Sequence, residues 1–284
     1  MDIGLILLLL VSGVAAGLFG AILGLGGGIL VVPILVLAAG VPMHSAVASS
    51  LLCVIATSSG AAWKNIANGV ANVRLGVSLE FWTVLGAVIG GLVAGFLTGS
   101  TLMTLFSIAM VGIAIVMARG GKGEDHFLVP PSVAPANQLE AKVQSTFFDP
   151  GLGQTLHYQP RRLPLAMGIS SFAGLLSGLF GIGGGLIKVP ALVQLCGVPI
   201  KAAAATSNFM IGVTGAASAL IYYGRGEVAP LAAAATVLGV FAGSRAGASL
   251  AGRIGSHHTR RVFAIVLVLI AVQMFMKARG WWLS

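Results

Sequence analysis

Charge is what this sequence has least of. No Asp, Glu, Lys or Arg occurs between Asp2 and Lys64, a stretch far longer than the ~20 apolar residues that cross a bilayer. Charged residues make up 8% of the chain, against roughly 25% in an average soluble domain. A soluble globular fold is excluded, and an all-α polytopic membrane protein is the reading that remains. The two cysteines, Cys53 and Cys196, stand alone in apolar segments, so a disulfide framework, a zinc site and a thiol relay all lack support. Both read as small packing residues. No Gly-Lys-Ser/Thr occurs anywhere, which excludes a P-loop ATPase and leaves gradients or a partner as the energy source. The N-terminal Met-Asp-Ile-Gly has no basic n-region, which argues for a first membrane helix that stays rather than a cleaved signal peptide. The formal charge of +9 would suggest nucleic acid in a soluble protein. Here the basic residues sit mostly between apolar runs, as in loops facing lipid headgroups, and no nucleic-acid partner is expected.

What the chain has in abundance is glycine, and its arrangement organises everything else. Gly178 to Pro190 reads GLFGIGGGLIKVP, and Gly24 to Pro33 reads GLGGGILVVP. The two prolines lie 157 residues apart (190 − 33). At that offset Gly183, Gly184 and Gly185 fall on Gly26, Gly27 and Gly28, Pro199 on Pro42, and Ser207 on Ser50. Further on the offset is 153 (236 − 83): TVLG at Thr236 repeats TVLG at Thr83, and Gly243 repeats Gly90. The expectation is two tandem homologous helical repeats, residues 1–118 and 163–284. Residues 119–162 form a soluble connecting loop with a β-hairpin around Asp149-Pro-Gly and an extended Pro-rich linker at Val129–Pro135.

Within each repeat the glycine triplet breaks a helix, because glycine disfavours continued helix and adopts backbone shapes other residues avoid. The segments after the breaks, Ile29–Ala39 and the run to Leu195, are too short to span ~30 Å of hydrocarbon. Read as re-entrant pieces, they leave about eight full spans; read as crossings, they give about ten and make the repeats inverted. With eight spans, one set of loops carries Lys64, Arg74, Arg119, Lys122, Lys142, Arg161, Arg162, Arg225, Lys277 and Arg279. The other set carries Lys201, Arg253, Arg260 and Arg261. Basic residues mark cytoplasmic loops, so both termini are expected in the cytoplasm of a cell whose plasma (inner) membrane holds the protein. Small residues such as Gly86, Gly90, Gly91 and Gly95 have the spacing of small-xxx-small helix contacts.

Non-helical backbone at membrane depth persists only where protein or a water-lined cavity satisfies its polar groups. Transporters use such breaks to aim half-helix N-termini at anions. Gly26, Gly27 and Gly28 precede one such start and Gly183, Gly184 and Gly185 the other, so an anion site between the two is expected. Lys188 sharpens this: it lies in a charge-free run with no acid to pair with, and its repeat-1 counterpart is Val31. A lysine there either snorkels to the surface or binds an anion. Ser49, Ser50, Thr206, Ser207 and Asn208 could hydrogen-bond oxyanion oxygens, or back-bond to carbonyls one turn earlier. Glu80 and Glu227 are candidate proton carriers, with a solvated helix-end acid the more ordinary role. His44 and Lys201 open matching helices, and His126 and His157 read as solvated loop histidines.

At these residues the chain resembles the TauE/SafE sulfite-exporter family, the toluenesulfonate-uptake permease group. The carrying features are the two glycine triplets, Ala48-Ser49-Ser50-Leu51 with Ala205-Thr206-Ser207-Asn208, the TVLGxxxG pair, and the Phe148-Asp-Pro…His-Tyr158 loop. The resemblance implies a secondary carrier for small sulfur oxyanions, sulfite or organosulfonates, with no cofactor and with protons as a candidate coupling ion. The alternatives are an ion channel, which would not want Lys188, and a structural membrane protein. An enzyme is not expected: an intramembrane protease needs a serine and a histidine within the membrane, and the membrane segments offer only His44.

Overall fold

The structure is a computed structural model that describes residues 3–22, 27–119, 138–149, 153–250 and 256–281. Gly26, His126 and the Val129–Pro135 linker lie outside the described residues. The described chain is 79% helical, with eleven helices. They are α1 (Ile3–Ile22), α2 (Gly28–Pro33), α3 (Met43–Ala67), α4 (Val73–Ala94), α5 (Gly99–Arg119), α6 (Gln138–Lys142), α7 (Leu163–Phe180), α8 (Gly185–Gln194), α9 (Ile200–Gly224), α10 (Pro230–Leu250) and α11 (Ser256–Ala278). Six of them, α1, α3, α4, α5, α7 and α9, contain segments long and apolar enough to cross a membrane. Their outer faces are apolar too: Val77, Phe81, Leu85, Ile89 and Leu92 on α4 are all exposed, as a surface dissolved in lipid requires.

Element boundaries reproduce the sequence offset. α3 starts at Met43 and α9 at Ile200, 157 residues apart (200 − 43), and each has 25 residues. Pro33 ends α2 without an N–H to donate, and the backbone continues as a π-helical turn over Ile34–Ala38, closed by Ala39 N–H to Ile34 O. The expected hairpin forms, with β1 (Ser145–Asp149) antiparallel to β2 (Gln154–Tyr158) and Phe147 opposite Leu156. It is less solvated than a free loop. Phe147 and Tyr158 stack edge to face at 6.3 Å and join Leu75, Leu79, Leu163 and Leu192 in one apolar cluster.

Contacts fix the direction of each helix. Gly184 packs on Ala173 O, and Arg161 N–H donates to Cys196 O, so α8 turns back along α7 toward the hairpin. By the same pattern Gly27 packs on Ala16 O, and α2 turns back along α1. At the centre α3 and α9 run antiparallel, with Gly212 on Ser58 and Gly215 on Leu51 and Ile55. α2 and α8 thus each reverse the direction of the chain beside the helix that precedes them. The eight-span reading put the central loop and both termini at one end. In the structure Lys201 bonds Asp149 of the hairpin, whereas Lys277 near the C-terminus bonds Val36 O at the other end.

The two halves are also interlaced. α4 packs on α7 and α1 on α10, each pair spanning both halves. Here the repeated TVLGxxxG has its physical role. Gly86 and Gly90 lie against the carbonyls of Ser171 and Leu175, while Gly174 and Gly178 lie against those of Thr83 and Ala87. Gly239 and Gly243 approach Leu10 and Val14 of α1 in the same way. A Cβ at any of these would overlap backbone. Gly86→Val or Gly239→Val is expected to cost about 1–3 kcal/mol through overpacking, whereas Gly112→Ala, whose surroundings are open, should not. Thermal unfolding of the purified variants in detergent checks this, and equal midpoints for all three would contradict it.

Candidate functional site

The two glycine breaks lie against one another. Gly27 (φ 74°), Gly181 (φ 71°), Gly183 (φ 74°) and Gly184 (φ 70°) are all left-handed, a region where a side chain is strained. Gly27 and Gly184 occupy the N-cap positions of α2 and α8, and neither helix start has a side-chain cap. A Cβ on Gly28 would come within 2.7 Å of Gly181 O. Between them sits Ser50, buried on α3. Its single hydroxyl proton is shared between Gly28 O at 3.0 Å and Gly181 O at 2.9 Å. One hydroxyl thus ties the break of the first half to that of the second.

Ser207, the counterpart of Ser50 on α9, is 1% exposed, and its Oγ has no hydrogen-bond partner. Gly185 is the neighbour that a Cβ would bring to it, at 3.4 Å. The other hydroxyls have structural partners. Ser49 back-bonds to Ser45 O at 2.8 Å, and Thr206 accepts the Asn72 N–H at 2.9 Å, where Asn72 itself caps α4 through Leu75 N–H. Asn208 is half-buried. His44 Nε2 lies 3.0 Å from Ala94 O, at the C-terminus of α4, and His157 is exposed. Burial is the main cause that pushes the Cys196 thiol up to about 11, so it stays protonated and packs as a small apolar group.

Lys188 does not snorkel. It is 1% exposed, and its Nζ stands 3.8 Å from Glu80 Oε2. The sequence offered no acid in its own run, and the partner comes from α4 instead. Glu80 is likewise not a solvated helix-end acid: it is 6% exposed and lies about 10 Å past Val73 along the helix axis. Thr214 of α9 bridges the two. Its hydroxyl donates to Glu80 Oε1 at 2.6 Å and accepts from Lys188 Nζ at 3.2 Å. Glu80 Oε2 has no hydrogen-bond partner, although a buried carboxylate can accept several. The pair is neutral overall yet under-bonded, an arrangement that favours a polar ligand. Further along α9 and α7, the hydroxyls of Ser218 and Ser177 are buried and unpartnered, and Tyr222 donates to Gly178 O at 2.9 Å. Spacing by one or two helical turns puts Ser207, Thr214, Ser218 and Tyr222 on one face of α9. Thr214, Ser177 and Ser218 were not legible as site residues in the sequence. Glu80 left a stronger signal, as the only acid within the apolar α4.

Broken helices that meet inside an apolar-surfaced bundle, next to one buried ion pair, define an integral membrane protein with the interior of a transporter. Sequence comparison gives the family. The family model for Sulfite exporter TauE/SafE matches residues 9–274, and the chain belongs to that family. It is 30% identical over 275 residues to the Probable membrane transporter protein YunE of Bacillus subtilis, covering 94% of this chain and 96% of that one. It is 27% identical to Probable membrane transporter protein MJ0441 of Methanocaldococcus jannaschii, over 95% of each chain. Sulfite exporter TauE/SafE family protein 6 of Arabidopsis thaliana is 33% identical over 124 residues, 44% of this chain and 28% of that one. No solved structure matches. The protein is a membrane transporter and not an enzyme.

Two stability outcomes follow from this geometry. Ser50→Ala removes the hydroxyl that Gly181 O and Gly28 O share and is expected to cost about 1–3 kcal/mol, whereas Ser207→Ala loses no internal bond and should be close to neutral. Lys188→Met alone strands the Glu80 carboxylate, with a cost of about 3–5 kcal/mol for a broken buried pair. Adding Glu80→Gln should recover most of it. Chemical or thermal unfolding of the singles and the double in detergent gives the coupling, and strictly additive losses would show the pair to be energetically idle.

Proposed function

We propose that this protein is a secondary transporter of small sulfur oxyanions, sulfite or organosulfonates, working by alternating access. Its anion site lies between the breaks before α2 and α8, with Lys188 as the charge. The observation that carries this reading is Lys188 itself, a buried lysine beside a glycine break and facing an under-bonded carboxylate. The description of its family and the names of its Arabidopsis thaliana relatives, both sulfite exporter, support sulfite as substrate. Gly27, Gly28, Gly183, Gly184 and Gly185 let the backbone approach the anion, and Ser207 offers a hydroxyl with no internal partner. Ser50, Ser49 and Thr206 serve the site by holding backbone, and Asn208 borders it.

The same reading takes the chain as an internal duplication of two inverted five-element repeats in a bacterial plasma membrane. The hairpin end carries Arg74, Lys142, Arg161, Arg162 and Lys201, and the opposite end Arg225, Lys277 and Arg279. The positive-inside rule then puts the hairpin in the cytoplasm and both termini outside. That reverses the orientation obtained by treating α2 and α8 as segments that do not return the chain.

Flux in proteoliposomes tests the function. Sulfite, sulfate, sulfoacetate and taurine are offered in turn, with and without a pH gradient. Wild-type protein should move sulfite or a sulfonate in preference to sulfate. Lys188→Met should lose most of that flux per inserted molecule, and Lys188→Arg should retain part, since it keeps charge but changes shape. No flux of any of the four, or wild-type flux from the methionine variant, would refute the site.

A further inference from the structure

The charged cluster is one-sided in a frame whose two halves otherwise correspond. At the repeat offsets, Lys188 falls on Val31 and Glu80 on Ala233. Helix packing therefore does not require either charge, and both are placed where α4 of one half meets α8 and α9 of the other. Inside an apolar bundle a net charge is far more costly than a neutral pair. Any anion that reaches Lys188 meets a site already neutralised by Glu80. One cation facing two anions would leave a buried net negative charge, and the cheapest remedy is a proton on the second anion.

Resting on the transport reading above, we propose that Lys188 exchanges partners during transport. The oxyanion takes the position of the Glu80 carboxylate beside the ammonium, and Glu80 Oε2 takes up one proton from water. The atoms and charges balance. Lysine cation with glutamate anion is neutral, and lysine cation with a singly charged sulfonate and glutamic acid is neutral too. Anion and proton then cross together, one for one, with no net charge moved. Thr214 is the positioning residue: its hydroxyl holds Oε1 at 2.6 Å and leaves Oε2, the oxygen with no hydrogen bond, to receive the proton.

No other described group is set to take that role. On α4 itself Arg74 is exposed. The α7 helix, packed along α4, has no ionisable side chain. From α9 come Lys201, which is bonded to Asp149, Tyr222, whose hydroxyl is on Gly178 O, and Tyr223, which is exposed. From α8 comes only Lys188. The hairpin brings Tyr158 into the apolar cluster with Leu79, and its phenol would first have to lose a proton to take part.

The test uses purified full-length protein and ethanesulfonate, which stays a monoanion throughout the pH range of the experiment. In weakly buffered solution, wild-type protein should take up one proton per sulfonate bound. Above the pH at which Glu80 ionises, its affinity should fall tenfold per pH unit, the limit for one linked proton. Over the pH range in which Lys188 keeps its proton, Glu80→Gln should bind ethanesulfonate with an affinity independent of pH, and in proteoliposomes should no longer accumulate it in response to a pH gradient. Thr214→Val should shift the pH at which affinity falls. Proton uptake of zero in the wild type overturns the exchange, whether or not the glutamine variant folds. So does a glutamine variant that keeps the wild-type pH slope. Wild-type protein that moves or binds no sulfonate or sulfite refutes the transport reading itself, whereas anion transport with a flat pH profile refutes only the proton exchange.

Discussion

A helix that ends inside an apolar bundle leaves carbonyls that lipid cannot satisfy, and at the end of α7 one hydroxyl supplies a donor to Gly181 O while also reaching the start of α2. Ser50 reaches Gly28 O and Gly181 O from the middle of α3. That one hydroxyl reaches both carbonyls is possible because the breaks touch. Contact demands that α3 and α9 cross tightly between them, as Gly183 against Val54 and Ile211 does. Glycine at Gly28 and Gly181 is then needed for space as much as for conformation.

Close approach recurs at the outside of the bundle. α4 on α7 and α1 on α10 are parallel pairs in which glycines of each helix sit on the carbonyls of the other. In lipid, where apolar side chains gain little by leaving their surroundings, such backbone proximity is the main source of helix affinity. The pairs join the halves to one another, so neither half contains all the contacts of its own fourth element.

Against that frame the polar interior is unequal. Ser50 is fully used and Ser207 has no internal bond, although they occupy matching positions. Lys188 and Glu80 gather on one side, while their counterparts Val31 and Ala233 carry no charge. The unmatched ion pair supplies a place for chemistry that one half alone would not have.

Much of the fold was written along the chain. Glycine triplets followed by proline announce helix breaks because local backbone freedom is a local property. The hairpin was readable from β-prone residues flanking Asp149-Pro-Gly for the same reason, and TVLGxxxG announced close packing. Lys188 was conspicuous as the one charge in its run. What the sequence could not show was which surfaces meet. Glu80 and Lys188 are 108 residues apart (188 − 80), and no periodicity connects them. Thr214 becomes a bridge only when α9 is laid beside α4. Direction was equally hidden: counting basic loops assumed that α2 and α8 do not turn the chain around, and only their packing along α1 and α7 decided that they do. The sequence by itself determined that helices break and where, because conformational preference acts residue by residue. The tertiary structure alone decided which charges face one another and which end of the bundle each loop occupies, because both depend on distances between segments remote in the chain.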